Sequence, residues 1–279
     1  MSGITLIVIS ALMHSMWNLF LKKSTDKHKF NYQMHLLNLS LFTTSYPIFF
    51  KKYLYFDLVA VLFGLFAGIF FSAYHLFLSL SYKTEDVSKV YPITTSSPIF
   101  VTVLAVFILG EKITFIGFSG IIAVIFGILV LNSTAIKNLY FTKGVLFALL
   151  ASIMYSFGAI IEKTGVGKGN IFLYIYSVTF FMTLFLFLYS KNSSSGHLTY
   201  FINNIKYLFP ASIVLYFSVL TYRFGLETVN VSYATSIRQI NALFGVILGA
   251  IFLKEKDTGR RLLASMIIIL GIFFIKLGM

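Results

Sequence analysis

The sequence predicts an all-α membrane protein: ten transmembrane helices arranged as a 5+5 inverted repeat. Three observations carry that prediction. Of 279 residues, 58% are hydrophobic and 11% charged, whereas a soluble domain carries about 25% charged residues. The apolar residues gather in runs close to the roughly 20 residues with which a helix crosses a bilayer. Short motifs also recur between the two halves at a nearly constant offset, the mark of an internal repeat.

The runs cover 3–21, 31–50, 58–82, 90–109, 113–131, 143–163, 170–189, 207–226, 232–253 and 260–278. The first continues to Lys22 and lacks a basic leader, so it reads as a span and not as a cleavable signal. Runs such as Ile121–Leu131 and Leu262–Phe274 do not alternate as barrel strands would. The longest polar connections, Asn132–Thr142 and Lys191–Lys206, leave no room for a soluble domain between spans. Tyr53, Tyr55, Tyr140, Tyr200 and Tyr207 stand near span ends and suit the interface. The net charge is +13, but the basic residues sit singly or in pairs between apolar runs. That is membrane topology, not a nucleic-acid surface. With no cysteine there is neither a disulfide nor a thiolate nucleophile.

Ser10-Ala-Leu-Met13-His14-Ser15 is echoed by Ala151-Ser-Ile-Met154-Tyr155-Ser156, at an offset of 141. Phe107-Ile-Leu-Gly110-Glu111-Lys112 is echoed by Phe252-Leu253-Lys254-Glu255-Lys256, and Gly127-Ile128 by Gly271-Ile272, at an offset of 144. These matches divide the chain into repeats 1–137 and 138–279. Five spans is an odd number, so the second repeat enters the membrane from the opposite face. In such an architecture a substrate site lies between the halves near the midplane, and alternating access follows from their exchange.

Four segments together resemble the drug/metabolite transporter superfamily, in its ten-span EamA-like family. They are His14-Ser-Met-Trp17-Asn18 with Lys22, Glu85-Asp86-Val-Ser88-Lys-Val-Tyr91-Pro92 through Pro98, Leu109-Gly110-Glu111, and Ser236-Ile-Arg238-Gln239 followed by Leu253-Lys254-Glu255. Lys254 departs from the small residue usual before the glutamate, and Gln239 from the glutamate of close relatives. The resemblance implies secondary transport of a small metabolite in the cell (inner) membrane, and a homodimer whose contacts involve the fifth and tenth spans. It also implies cytoplasmic termini, whereas the distribution of lysine and arginine places both termini outside by the positive-inside rule.

Polar side chains inside the spans are the candidates for function, because each is costly in hydrocarbon. Arg238 lies about 10 Å deep at 1.5 Å per residue. Its planar fork suits a carboxylate or phosphate, so an anionic substrate is expected. Its other fate is an internal ion pair or snorkelling to the interface, with few buried partners evident, since Glu162 and Glu227 both stand near span ends. Asn241, Gly245 and Gly249 follow it at helical spacing and predict a face packed on protein. His14, Trp17, Asn18 and Leu21 share one face of the first span, with Tyr155 as the repeat counterpart of His14. Tyr74 and His75 sit mid-span, and His35 with Asn38 form a weaker pair. A histidine titrates near neutral pH, so His14 or His75 is the candidate for a coupling proton. Tyr91, Thr94, Thr95, Pro98 and Thr102 make one stripe on the fourth span, where Pro98 frees the Thr94 carbonyl. Glu111 and Glu255 either terminate helices or pair as gates. The substrate-binding set is therefore His14, Trp17, Asn18, Tyr74, His75, Tyr91, Thr95, Tyr155, Arg238, Gln239 and Asn241.

No phosphate-binding loop occurs. Gly165-Val-Gly-Lys168-Gly-Asn170 has its glycines and lysine in the wrong order. No metal motif or cofactor fingerprint is present. Two other readings stand beside transport of a soluble metabolite. One is translocation of a lipid-linked phosphate or sugar. The other is an intramembrane enzyme or assembly partner, which would need a clustered acid/base pair.

Overall fold

A computed structural model describes residues 1–24, 26–85, 90, 93–131, 133, 142–190, 196–253 and 258–279. They form α1 (Gly3–Lys23), α2 (Lys27–Phe49), α3 (Leu58–Thr84), α4 (Ser97–Leu104), α5 (Phe115–Leu131), α6 (Lys143–Lys168), α7 (Ile171–Ser190), α8 (His197–Thr228), α9 (Val231–Arg238), α10 (Asn241–Leu253) and α11 (Thr258–Gly278). A π-helical turn, Ala105–Leu109, continues α4, and left-handed Gly110 (φ 66°) closes it. This is the all-α fold of a multi-span membrane protein. Among the described residues five helices, α1, α3, α6, α7 and α8, are long and apolar enough to cross a membrane on their own.

The helix ends follow from local chemistry. Ser2 caps α1 by accepting from the Thr5 N–H, and Thr142 caps α6 by accepting from that of Val145. Asp57 caps α3 through Val59 and Ala60 and also accepts the Asn170 N–H at 2.7 Å. These three backbone donors, Asn170 first, hold its carboxyl below the usual carboxylate range. The Asn170 side chain in turn donates to the Tyr53 carbonyl at 2.6 Å, which ties the start of α7 to the connection before α3.

The helices pack in matched pairs. α1 lies on α8 and α3 on α6; α2 lies on α8 and α7 on α3; α1 meets α9 and α6 meets α4; α5 lies along α11. Hydrophobic driving force is weak between helices in lipid, so close backbone approach and hydroxyl bonds matter more. Ser10 and Ser218 each donate to the other's carbonyl, at 2.7 and 3.0 Å, and join α1 to α8. Ser81 donates to the Gly144 carbonyl at 2.8 Å and joins α3 to α6. Gly64 and Gly68 let α3 close on Ser177 and Phe181 of α7. Outside this core, large apolar side chains such as Phe66, Phe126, Phe209 and Phe273 are exposed, as lipid contact requires.

The expected spans are present, with three differences. α8 begins at His197, ten residues before the expected edge at 207, so much of the expected connection Lys191–Lys206 is helix. Its first turns carry Asn203, Asn204 and Lys206, which need no apolar cover outside hydrocarbon. The fourth and ninth spans are each interrupted, by turns at Thr95–Ser96 and Gln239–Ile240. The two breaks stand 144 residues apart, the offset of the Glu111 and Glu255 motifs.

The fifth and tenth spans, α5 and α11, pack against each other within one chain. A Cβ at Gly120 would lie 2.6 Å from the Gly271 carbonyl oxygen, and one at Gly127 would lie 2.6 Å from Ile268 Cγ1. Gly120→Leu is therefore expected to lower the melting temperature in detergent, since overpacking costs about 1–3 kcal/mol. Gly245→Leu, where no atom of the described residues lies within 4 Å of a new Cβ, serves as the control and should stay within about 0.5 kcal/mol of the parent. Equal melting temperatures for both variants would contradict the packing described.

Candidate functional site

The site is built around the corner between α8 and α9. Lys163 of α6 donates to the Leu226 and Val229 carbonyls, at 2.6 and 3.0 Å, and finishes α8. Glu111 starts α9. It accepts the N–H of Val231 at 2.6 Å, the N–H of Ser232 at 3.2 Å and the Ser232 hydroxyl. A carboxylate there satisfies orphan donors and suits the positive end of the helix dipole. Glu111 thus does more than end its own span: it holds the start of α9. Glu255 lies outside the described residues. Val231 through Ile237 are buried, and α9 then stops at Arg238. The guanidinium so stands at the C-terminal end of a half-helix, where a cation is favoured.

Arg238 touches neutral groups. Its Nη2 lies 3.3 Å from His14 Nδ1 of α1, and the Trp17 Nε1–H donates to that same nitrogen at 3.2 Å. Arginine and indole only donate. His14 Nδ1 is therefore the acceptor, its ring proton sits on Nε2, and the imidazole is neutral. The guanidinium carbon stands 4.2 Å from the centre of the Tyr222 ring, a cation–π arrangement. Arg238 Nε is buried with no hydrogen-bond partner among the described residues.

Further rings continue the lining. Tyr155 of α6 faces Arg238. Its ring is 5.5 Å from that of Tyr74 on α3, and Tyr74 is 4.9 Å from His75. His75 meets His35 of α2 at 5.9 Å. His14, His75, Tyr155 and Arg238 are each half-buried.

The other candidates are placed as follows. Trp17 is buried and edge-on to His14 at 4.9 Å. Asn18 spends its amide on the His14 carbonyl of its own helix, at 2.9 Å. Thr95 stands in the turn that breaks the fourth span, and Gln239 and Asn241 flank the break in the ninth. Tyr91 lies outside the described residues. Two expectations fail. The Thr94 carbonyl is not free, because Ser152 of α6 donates to it at 3.2 Å and to the Ile93 carbonyl at 2.7 Å. Gly245 does not seat a neighbouring helix. It is exposed with open space before it among the described residues, because the break at Gln239–Ile240 ends the register that would carry the Arg238 face onward. A wide surface depression of about 560 Å³ near Lys29, Tyr200 and Asn203 holds none of the candidates.

One pair escapes the sequence reading. Arg223 Nε donates to Glu162 Oε1 at 2.8 Å, and both side chains are buried. Glu162 is expected at a span end, but α6 runs on to Lys168 and places it inside. Arg223 also lies 5.8 Å over the Tyr174 ring. This pair takes up the carboxylate that Arg238 would otherwise have had. The signal was present as one acid and one base within the apolar runs of α6 and α8.

The geometry is that of a polytopic membrane protein in which His14, Trp17, Tyr155 and Tyr222 gather around Arg238 at the break in the ninth span. The model of the EamA-like transporter family matches residues 1–133 and again 142–277. The chain belongs to the EamA-like transporter family, consistent with the drug/metabolite transporter resemblance, and is a transporter and not an enzyme. An uncharacterized transporter of Archaeoglobus fulgidus is 28% identical over 214 residues, covering 75% of each chain. A protein crystal structure with 13% identity aligns with a TM-score of 0.77, over 99% of this chain and 96% of that one, and shows the same fold.

The buried pair yields a stability prediction. Glu162→Leu leaves Arg223 charged and unpaired, which costs about 3–5 kcal/mol. Glu162→Leu with Arg223→Met removes both charges and should recover most of that loss. Melting temperatures of the two variants in detergent decide this; a double variant no more stable than the single would contradict it.

Proposed function

We propose that the protein is a secondary active transporter of a small, anionic metabolite in the cell (inner) membrane, working by alternating access between inverted repeats 1–137 and 138–279. The two separate family matches support that division. So do the matched helix contacts and the two breaks 144 residues apart. Interrupted helices near the midplane are where such transporters hold their substrates.

The observation that carries the substrate assignment is Arg238, half-buried, with a buried Nε that has no hydrogen-bond partner among the described residues. In this reading Arg238 binds the anionic group. His14, Trp17, Tyr74, His75 and Tyr155 line the body of the substrate, with Thr95, Gln239, Asn18 and Asn241 around them; Tyr91 stays a candidate from the sequence alone. A coupling proton would move through His14 or His75, whose rings lie within this lining. Extensive packing of α5 on α11 in one chain leaves their outer faces for a homodimer.

Lipid-linked phosphate translocation is the second reading, favoured by the same guanidinium. The two separate in a ligand-stabilisation screen on purified protein with soluble anions, zwitterions, cations and lipid phosphates. A ligand of the native state raises the melting temperature by mass action. Soluble anions are expected to stabilise the parent and to lose more than tenfold in affinity against Arg238→Ala. Stabilisation by lipid phosphates alone would transfer the function to the second reading. Equal responses of parent and variant would remove Arg238 from the binding role.

A further inference from the structure

The substrate site carries a charge count and a shape that narrow its ligand. Glu162 and Arg223 neutralise one another at 2.8 Å. Arg238 has no carboxylate partner among the described residues. It meets a neutral imidazole nitrogen, a ring face and the Tyr155 hydroxyl, and the nearby Glu162 carboxylate is shared with Arg223. Among the described residues, two guanidiniums therefore share one carboxylate, and one positive charge is left over in an interior where charges interact strongly. A single negative charge completes it. A dianion would leave a second charge unmatched. A zwitterion would bring an ammonium group with no free carboxylate to receive it among the described residues, since Glu162 is occupied by Arg223.

Two donors near this charge are already committed. The Trp17 indole N–H goes to His14 Nδ1 and the Asn18 amide to the His14 carbonyl. The buried Arg238 Nε–H is not, among the described residues, and with the guanidinium fork it presents adjacent donors of the kind that receive the two oxygens of a carboxylate. The surfaces beside it are rings: Tyr222 at 4.2 Å below the guanidinium, Trp17 against His14 at 4.9 Å, and Tyr155 against Tyr74 at 5.5 Å. Aromatic faces and edges favour a flat, aromatic partner over a flexible alkyl one.

We propose that the Arg238 site takes an aromatic monocarboxylate and rejects zwitterions, cations and dianions built on the same ring. This rests on the reading of the Arg238 cavity as the substrate site and adds to it the class of anion.

Trp17 is the single tryptophan of the chain and bonds to the histidine that meets Arg238, so its emission reports on the site directly. The purified full-length protein is titrated with 3-phenylpropanoate, hexanoate, phenylalanine, phenethylamine and phenylsuccinate, with excitation at the red edge of indole absorption. Saturable change with 3-phenylpropanoate is expected at concentrations at least tenfold below those of the other four. Arg238→Gln should abolish the response, and Arg238→Lys should weaken it while keeping the order of ligands. Unliganded Trp17 emission and gel-filtration profile identify any variant that has not folded; the parent titration then stands by itself. Equal response to hexanoate would overturn the aromatic preference, and equal response to phenylalanine or phenylsuccinate the monoanion rule, with the anion site intact in both cases. Response to phenethylamine but to no anion, or no response to any of the five, would overturn the proposal and with it the Arg238 cavity as an anion site.

Discussion

A guanidinium held inside a membrane needs compensation, and this requirement organises the centre of the molecule. Unpaired charge in hydrocarbon is costly. Arg223 meets the requirement with Glu162 at 2.8 Å. Arg238 meets it differently. α9 ends at this residue and brings the negative end of its dipole to the charge. The Tyr222 ring lies beneath the guanidinium, and His14 offers a lone pair. These partners are all neutral. They hold the charge in place and leave it available, which is the property a recognition site for an anion needs.

Positioning that residue draws on much of the fold. α9 is short because Gln239–Ile240 breaks the span, and it starts where it does because Glu111 takes its first N–H groups. The corner before it is fixed by Lys163. α1, which supplies His14 and Trp17, is held on α8 by reciprocal Ser10 and Ser218 bonds. α6, which supplies Tyr155, is held on α3 through Ser81 and on the fourth span through Ser152. Small and hydroxylated residues therefore fix the helices at distances that make a ring-lined space between them.

The spans were legible because hydrocarbon imposes length and composition on any helix that crosses it. The N-terminal turns of α8 were not, since His197–Lys206 is helix without being apolar. The break at Thr95–Ser96 carries a sign in Pro98, but the break at Gln239–Ile240 has neither proline nor glycine to announce it, and Gly245 was misread in consequence. Spacing placed His14, Trp17 and Asn18 on one face, yet spacing is local. It gave neither the bond of His14 to Arg238, 224 residues away, nor the inward reach of Asn18 to its own helix. The Glu162–Arg223 pair was hidden by an edge placed one turn too early on α6. Long-range pairing inside a bundle depends on helix rotation, and the pattern of apolar residues constrains that weakly when lipid and core are equally apolar.

The absence of cysteine from the chain allows the central claim to be tested by a single introduced thiol. Gln239→Cys places it at the break beside Arg238. Its reaction with a membrane-impermeant maleimide is measured from each face, in sealed vesicles of both orientations, with and without a stabilising anion. Alternating access at this position predicts modification from both faces, with the anion changing the two rates. Modification from one face alone, unaltered by the anion, would contradict a substrate site at Arg238 that opens to each side in turn.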